Sequence, residues 1–269
     1  MLPTVNPVTI VKLGGSAITK KSIEATPDLP VIHAAIDQLS TYRSSLIVLH
    51  GAGSFGHQAV KRARLDKGLR DRSQLMAIGE TELLLDQLTR IIEVSFARLE
   101  IPFVPLRSMS FLTMKGGRVD RLFTDPLIRA VKHGLTPIIH GDLAFDSQLG
   151  ISVISADQLA SKLSGVFKGA RVLFGCDEDG VFPRNPRKHD PGRIIHKIDR
   201  TNSAQVLQRL DASRSSDATG GMYGKVTEAI DIARKGGIGF IFNLKKRGML
   251  TQALNGNYSS GTLFPPWKT

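Results

Sequence analysis

The stretch "SLIVLHGAGSFGH" (45–57) places an apolar, β-branched run directly before three glycines. Such a run followed by a glycine-rich turn is typical of a buried strand that leads into a helix. Gly51, Gly53 and Gly56 have the Gly-x-Gly-x-x-Gly spacing of dinucleotide-binding loops, which alone is weak support for that function. His50 and His57, which bracket the glycines, have no role in that fingerprint.

A dinucleotide site requires this loop after the first strand of a βαβ unit, with an acidic residue about 20 residues later at the end of the next strand. Here the loop follows the second apolar run of the chain. The acid nearest that distance, Asp71, lies in "KGLRDRSQ" (67–74), which has no strand character. The pattern therefore disfavours hydride transfer with NAD.

Short apolar runs alternate with longer amphipathic stretches along the chain. The runs predicted to be strands are 8–13, 45–50, 101–106, 136–141, 171–175 and 237–242. The stretches predicted to be helices are 31–39, 73–99, 126–133, 156–167, 203–210 and 224–235. This alternation indicates an α/β protein, a three-layer αβα sandwich around a mostly parallel sheet.

The segment "FLTMKGGRVDRLF" (111–123) is predicted to form a hairpin attached to that sheet, with Gly116 and Gly117 at its turn. The sequence contains no internal repeat and no long linker. We therefore expect one domain over residues 1–269, with an N-terminal lobe to about residue 165 and a C-terminal lobe from about residue 166.

The composition limits the class of partner. A formal net charge of +12 favours anionic partners, which include nucleic acid, a membrane surface and phosphorylated small molecules. Aromatic residues make up only 6% of the chain and do not interleave with the basic stretches 61–72 and 183–193, as base-stacking surfaces would. Small phosphorylated molecules are thus favoured, and nucleic-acid binding remains a minor alternative.

Cys176 is the single cysteine, which excludes an internal disulfide and a cysteine-based zinc cluster. No apolar run approaches the roughly 18 residues that a membrane span requires. We expect a cytoplasmic protein that does not bind a membrane. No spacing of His, Asp and Glu suggests a dedicated metal site.

Three glycine-rich loops, at 12–16, 50–57 and 219–225, are expected at the carboxyl edge of the sheet, where α/β proteins bind ligands. Lys12 lies in an otherwise apolar strand, where an ammonium group is costly unless it faces an anion. Lys225 follows glycines near a predicted helix N-terminus, although "TGGMYGKV" (219–226) is not a P-loop. Lys21, with Lys20 as its rival, is within reach of the same site. Several phosphates bound at one edge are what phosphoryl transfer requires.

Six motifs, in this order and spacing, resemble the amino acid kinase superfamily and, within it, the isopentenyl phosphate kinases. They are "KLGGSAITKK" (12–21), "HGAGSFGH" (50–57), "HGD" (140–142), "ISADQLA" (154–160), "DEDGVF" (177–182) and "DATGGMYGK" (217–225). The resemblance covers about residues 8–264. The histidine at position 57 distinguishes this chain from relatives that act on acetylglutamate, aspartate, carbamate or UMP.

The resemblance implies transfer of the ATP γ-phosphoryl group to isopentenyl phosphate, which yields isopentenyl diphosphate for isoprenoid synthesis. On the acceptor side it implies that Gly53, His57, Gly141 and Asp142 bind the substrate, with His57 donating a hydrogen bond to its phosphate. Because relatives of this kind are usually homodimers, the resemblance also implies a homodimer.

On the donor side the resemblance implies MgATP, with the ion held by the ATP phosphates. Its ATP-binding residues would be Lys12, Gly14, Gly15, Ser16, Ser54, Asp177, Gly221 and Lys225. Lys12 and Lys225 would hold the transferring phosphoryl group, Lys21 would stabilise charge in the transition state, and Asp157 would organise the lysines. The predicted catalytic residues are therefore Lys12, Lys21, His57, Asp157 and Lys225.

Two positions depart from the family pattern. Gln158 replaces the second acid of the usual Ser-Gly-Asp-Asp motif, and Cys176 replaces a usual Thr.

Met76, Leu83 and Leu84 are candidates for the wall of an alkyl pocket, with an ordinary core position as the alternative. The remaining functional alternatives are a kinase of another phosphate or phosphonate monoester and, further off, a carboxylate kinase on the same fold.

Overall fold

The computed structural model describes residues 7–184, 186, 192–211 and 221–267. Its strands are β1 (Thr9–Leu13), β2 (Leu46–His50), β3 (Phe103–Pro105), β4 (Leu112–Lys115), β5 (Arg118–Leu122), β6 (Thr136–His140), β7 (Asp142–Asp146), β8 (Gly150–Ile154), β9 (Arg171–Cys176), β10 (Ile238–Asn243) and β11 (Thr262–Phe264). Its helices are α1 (Gly15–Ile18), α2 (Leu29–Ser40), α3 (Gly53–Arg62), α4 (Leu75–Arg98), α5 (Asp125–Lys132), α6 (Ala156–Ser164), α7 (Ser203–Asp211), α8 (Gly221–Arg234) and α9 (Met249–Leu254).

The central sheet has the strand order β11-β10-β9-β1-β2-β6-β3, and every pair in it is parallel except β10 with β11. Because side chains alternate across a strand, the apolar strands feed two cores. Ile10 of β1 packs on one side with α6 and α8, and Val11 packs on the other with α2 and α4. The predicted three-layer αβα architecture and the predicted mostly parallel sheet are confirmed.

The hairpin forms as predicted between β4 and β5, but its predicted attachment to the central sheet is wrong. It belongs to a second sheet of order β5-β4-β7-β8. Asp146, at the end of β7, ties this sheet to the hairpin turn by accepting hydrogen bonds from the backbone N–H groups of Gly116 and Gly117, at 3.0 and 2.8 Å.

No helix among residues 7–184, 186, 192–211 and 221–267 is long and apolar enough to cross a membrane.

Candidate active site

A cleft of about 650 Å³ lies at the carboxyl edge of the central sheet. The helices α1, α3, α6 and α8 all begin in its wall, at Gly15, Gly53, Ala156 and Gly221. Helix N-termini present unpaired backbone N–H groups and a partial positive charge. The convergence of these termini on one cleft favours a ligand with more than one anionic group.

The glycine loops after β1 and β2 touch backbone to backbone. A Cβ atom added to Gly15 would lie 2.4 Å from the backbone nitrogen of Gly53, and one added to Gly14 would lie 2.5 Å from the carbonyl oxygen of Gly175. Gly53 also has a φ of +51°, a conformation that favours glycine. These glycines are therefore needed for the close approach of the strand ends that form the cleft.

We expect Gly15→Ala to destabilise the fold by about 1–3 kcal/mol, because the new methyl group meets backbone atoms that cannot move aside. Gly79→Ala is the matched control, since a Cβ atom there meets nothing within 4 Å and alanine favours the helix. Thermal unfolding of both variants measures the difference. Equal melting temperatures would show that the loops are not tightly packed.

The cleft contains a buried group of three charges. The ammonium nitrogen of Lys12 lies 2.9 Å from Oδ1 of Asp157, and that of Lys225 lies 3.0 Å from Oδ2. Lys12 comes from β1, Asp157 from the first turn of α6 and Lys225 from the first turns of α8. Each of the three residues is less than one-tenth exposed. The structure thus brings Asp157 together with both lysines, and its role as their organiser stays a prediction.

Burial and mutual charge set the ionisation of this group. Burial lowers the pKa of Lys12 to about 8, repulsion from Lys225 acts in the same direction, and the attraction of Asp157 limits the fall. Burial alone would lower the pKa of Lys225, but the attraction of Asp157, together with smaller contributions from Cys176 and Lys12, raises that pKa overall. Burial alone would raise the pKa of Asp157, but the two ammonium groups lower it to about 2. Two cations thus share one carboxylate, and the excess positive charge suits the binding of an anion in the cleft.

Lys21 lies at the rim of the same cleft and is exposed by about half. Its ammonium group donates a hydrogen bond to Oδ2 of Asp177 at 2.7 Å, and the Ser16 hydroxyl donates one to Oδ1 at 2.7 Å. The fold therefore brings Lys21, Ser16 and Asp177 together beside the buried lysines.

His57 is half-buried on α3 and lines the cleft together with Gly53 and Gly141. Ser54 lines it too, and its main contacts are with the segment after α1. The Ser54 backbone N–H donates to the Thr19 hydroxyl at 3.0 Å, and the Ser54 hydroxyl accepts from the Thr26 N–H at 3.3 Å. Ser54 thus fixes α3 to the segment that carries Lys21.

One wall of the cleft is apolar, and it is formed by Val60, Thr81, Leu85, Leu143 and Val153. The prediction that Met76, Leu83 and Leu84 form the wall of an alkyl pocket is wrong. For Met76 and Leu83 the alternative, an ordinary core position, is wrong as well. Met76 is 74% and Leu83 65% exposed, while Leu84 is half-buried against the core. The reason is helical phase, because Thr81, Leu85, Leu88 and Ile92 form the inward stripe of α4.

Asp142 contributes to the cleft wall, but its side chain is fully buried. Its Oδ1 accepts a hydrogen bond from the Leu143 N–H at 2.6 Å, and its carboxylate faces Glu82 of α4. Asp142 thus lines the cleft, and the substrate-binding role that the resemblance implies for it stays a prediction. His50, at the end of β2, contacts the Thr89 hydroxyl of α4 at 2.9 Å and thereby links the end of this strand to the helix.

Of the two departures from the family pattern, Gln158 has a local structural explanation and Cys176 has none. The Gln158 amide accepts from the Val119 N–H and donates to the Gly117 carbonyl, both at 3.3 Å. A carboxylate could not donate the second of these bonds, so Gln158 suits a link between α6 and the hairpin. Burial raises the pKa of Cys176, whose thiol lies 3.3 Å from the Glu178 carbonyl.

Some predicted elements lie outside the described residues. These are the first part of the motif 217–225, up to residue 220, and most of the basic stretch 183–193.

The basic stretch 61–72 is described and lines a second, more open groove beside α4. Lys61 lies in the wall of both this groove and the cleft.

Residues 7–243 match the model of the amino acid kinase family. The chain is 33% identical to the isopentenyl phosphate kinase of Methanothermobacter thermautotrophicus over 94% of this chain and 97% of that protein. It is 30% identical to the enzyme of the same name from Methanocaldococcus jannaschii, over 93% and 95% of the two chains.

The fold agrees with these matches. A crystal structure of an isopentenyl phosphate kinase superposes with a TM-score of 0.82 at 30% identity, and covers 95% of this chain and 99% of that one. An N-acetylglutamate synthase from Neisseria gonorrhoeae superposes with a TM-score of 0.70 at 15% identity, over 99% of this chain and 61% of that one, which shows only a shared fold. The chain therefore belongs to the amino acid kinase family and, within it, to the isopentenyl phosphate kinases.

Proposed function

We propose that this protein transfers the γ-phosphoryl group of ATP to isopentenyl phosphate, forming isopentenyl diphosphate and ADP. The observation that supports this most directly is the buried group of Lys12, Asp157 and Lys225, where two ammonium groups share one carboxylate. It lies in a cleft that also has an apolar wall. A cationic centre beside an apolar wall suits a substrate with a phosphate head and a short alkyl tail.

The acceptor phosphate would lie near Gly53 and the N-terminal turn of α3, with its tail against Leu85 and Val60. His57 would donate a hydrogen bond to this phosphate. The nucleophile is a phosphate oxygen, which is already anionic at neutral pH, so the enzyme needs to orient it rather than to remove a proton.

ATP would occupy the other half of the cleft, along Gly14, Gly15, Ser16, Asp177 and Gly221. Lys12 and Lys225 would hold the transferring phosphoryl group and balance the charge on its oxygens in the transition state. Lys21 is placed to join them from the rim, after it releases Asp177.

Mg²⁺ would enter with ATP, where it offsets the charge of the phosphates. Asp157 and Asp177, which line this part of the cleft, are both engaged by lysines of the chain. Among the described residues, these carboxylates therefore do not form a separate Mg²⁺ cage, and the ATP phosphates would supply the main ligands.

The experiment is a panel of acceptors offered to the purified enzyme with MgATP. ADP should form rapidly with isopentenyl phosphate and with closely related alkyl monophosphates, and much more slowly with acetylglutamate, glutamate, carbamate or UMP. Brisk turnover with a carboxylate alone would overturn the proposed substrate. A higher kcat/KM for a phosphonate or a differently shaped monoester would favour the alternative acceptor.

His57→Ala should lower kcat by about 10²-fold or more, because it removes an oriented donor to the acceptor phosphate, and His57→Gln should cost less. His33→Ala, at an exposed position on α2, is the control. Steady-state kinetics with isopentenyl phosphate measures both. A wild-type rate in His57→Ala would show that this histidine has only a structural role.

The resemblance to the family also supports a homodimer in solution. Light scattering on the purified protein, coupled to size-exclusion chromatography, would give twice the chain mass.

A further inference from the structure

A second cluster of titratable side chains lies beneath the acceptor side of the cleft. It consists of Glu82 on α4, His140 at the end of β6 and Asp142 at the start of β7. One possible ligand atom from each residue lies within 4.8 Å of those of the other two. All three side chains are at least nine-tenths buried. The catalytic proposal uses neither Glu82 nor His140.

The cluster holds most of the unsatisfied buried polar atoms of the described residues. Five buried side-chain nitrogen or oxygen atoms in that part of the chain have no hydrogen-bond partner, and three of them are Nε2 of His140 and both carboxylate oxygens of Glu82. Buried polar atoms are nearly always satisfied, so such a concentration needs an explanation. A proton shared with Asp142 would satisfy one of the Glu82 oxygens, whereas a bound ligand that accepts lone pairs would satisfy all three atoms.

The orientation of His140 points to the kind of ligand. Its Nδ1 lies 3.3 Å from the carbonyl oxygen of Gly141, a contact that requires the proton on Nδ1. Nε2 then keeps its lone pair, and it is buried without a hydrogen-bond partner, 4.0 Å from Oδ1 of Asp86. A neutral imidazole that donates its other N–H to a backbone carbonyl is the usual arrangement of a metal-bound histidine.

The charges fit a divalent cation. Glu82 and Asp142 place two buried carboxyl groups side by side, and the two can share a hydrogen bond that requires a proton on one of them, which a bound cation would displace. The nearby guanidinium group of Arg107 is paired with Asp86. A divalent ion would balance two carboxylates, and a ligand set with one imidazole suits Zn²⁺ or Mn²⁺ better than Ca²⁺ or Mg²⁺.

We infer that Glu82, His140 and Asp142 form a binding site for a divalent transition-metal ion of the Zn²⁺ or Mn²⁺ class, separate from the Mg²⁺ that enters with ATP. Metal–ligand bonds of about 2.0–2.2 Å require the side chains to draw together by about 1 Å. Because Thr81 and Leu85 flank Glu82 on the cleft side of α4, the ion would fix the apolar wall to β6 and β7.

The test uses full-length, chelator-treated protein without nucleotide, titrated with Co²⁺ as a spectroscopic probe and then with Zn²⁺ as a competitor. Wild type should bind one Co²⁺ with visible d–d absorption that Zn²⁺ removes, and Zn²⁺ should raise its melting temperature. Glu82→Gln should weaken binding at least about tenfold and abolish the thermal shift. Glu80→Gln, at an exposed position two residues earlier on the same helix, should behave as wild type.

His140→Gln provides a second variant if Glu82→Gln folds poorly, and it should also remove the d–d band. Failure of wild type to bind Co²⁺ or Zn²⁺ at near-stoichiometric concentration would overturn the inference whatever the variants do. Binding that neither variant changes would overturn it as well. Absence of metal binding together with a higher melting temperature of Glu82→Gln would instead indicate a proton shared between Glu82 and Asp142.

Discussion

Lys225→Met should lower kcat by about 10³-fold while the protein keeps its fold. Methionine retains most of the aliphatic stem, but it removes the ammonium group, which lines the cleft and lies 5.7 Å from the centre of the Phe174 ring. Asp157 keeps Lys12 as a partner at 2.9 Å, so the substitution does not leave a buried carboxylate alone. The loss should therefore fall on the transition state, where removal of one charge-stabilising donor typically costs 10²–10³-fold in rate.

Lys235→Met is the matched control, because Lys235 follows the same helix and pairs with Asp231 near the surface. It should leave kcat within about twofold of wild type, as expected for an exposed ion pair. Single-turnover rates at saturating substrate, together with melting temperatures, separate chemistry from folding. If Lys225→Met kept the wild-type rate, the proposed contact with the transferring phosphoryl group would be wrong.

The central sheet was predictable because its strands are buried on both faces and read as nearly continuous apolar runs. In β1 the exception, Lys12, was the informative residue, since a cation among apolar neighbours indicates an anion-binding site. Periodicity also located α4, although not the face that lines the cleft. Met76 and Leu83 have the composition of a pocket wall, but they lie on the opposite face from Thr81 and Leu85.

The second sheet could not be read from local pattern. β7, "DLAFD", begins and ends with aspartate and exposes Phe145, so it resembles a turn rather than a strand. Its pairing with β4 brings together residues about 30 positions apart. The cluster of Glu82, His140 and Asp142 has a similar origin, because His140 and Asp142 are close in the sequence but Glu82 comes from α4, far earlier in the chain.

Asp157→Asn should destabilise the protein by about 3–5 kcal/mol, which is the usual cost of removing one partner of a buried ion pair. The amide would leave Lys12 and Lys225 buried close together without a counter-charge. Denaturant unfolding measures the effect. Asp125→Asn is the control, since the Asp125–Arg129 pair is exposed and its loss should cost at most about 1 kcal/mol.

The pH dependence of the stability difference between wild type and Asp157→Asn identifies the Asp157 carboxylate as the source of that difference. The pKa of Asp157 is lowered to about 2 in the folded protein, against about 3.9 for an unfolded aspartate. A lowered folded-state pKa gives stability that is present above the unfolded value and is lost as the pH falls through the folded one. The difference in the free energy of unfolding between wild type and Asp157→Asn should thus reach its full size above about pH 4 and become smaller toward pH 2.

A phosphate ligand should restore part of what Asp157→Asn loses, because anionic oxygens can take the place of the carboxylate between the two lysines. MgATP or inorganic triphosphate should therefore raise the melting temperature of the variant by more than that of wild type. The rate should nevertheless stay low, since the lysines would no longer be held in one geometry. Equal ligand-induced shifts in the two proteins would mean that Asp157 does not set the charge that the phosphates meet, and that its role lies in folding alone.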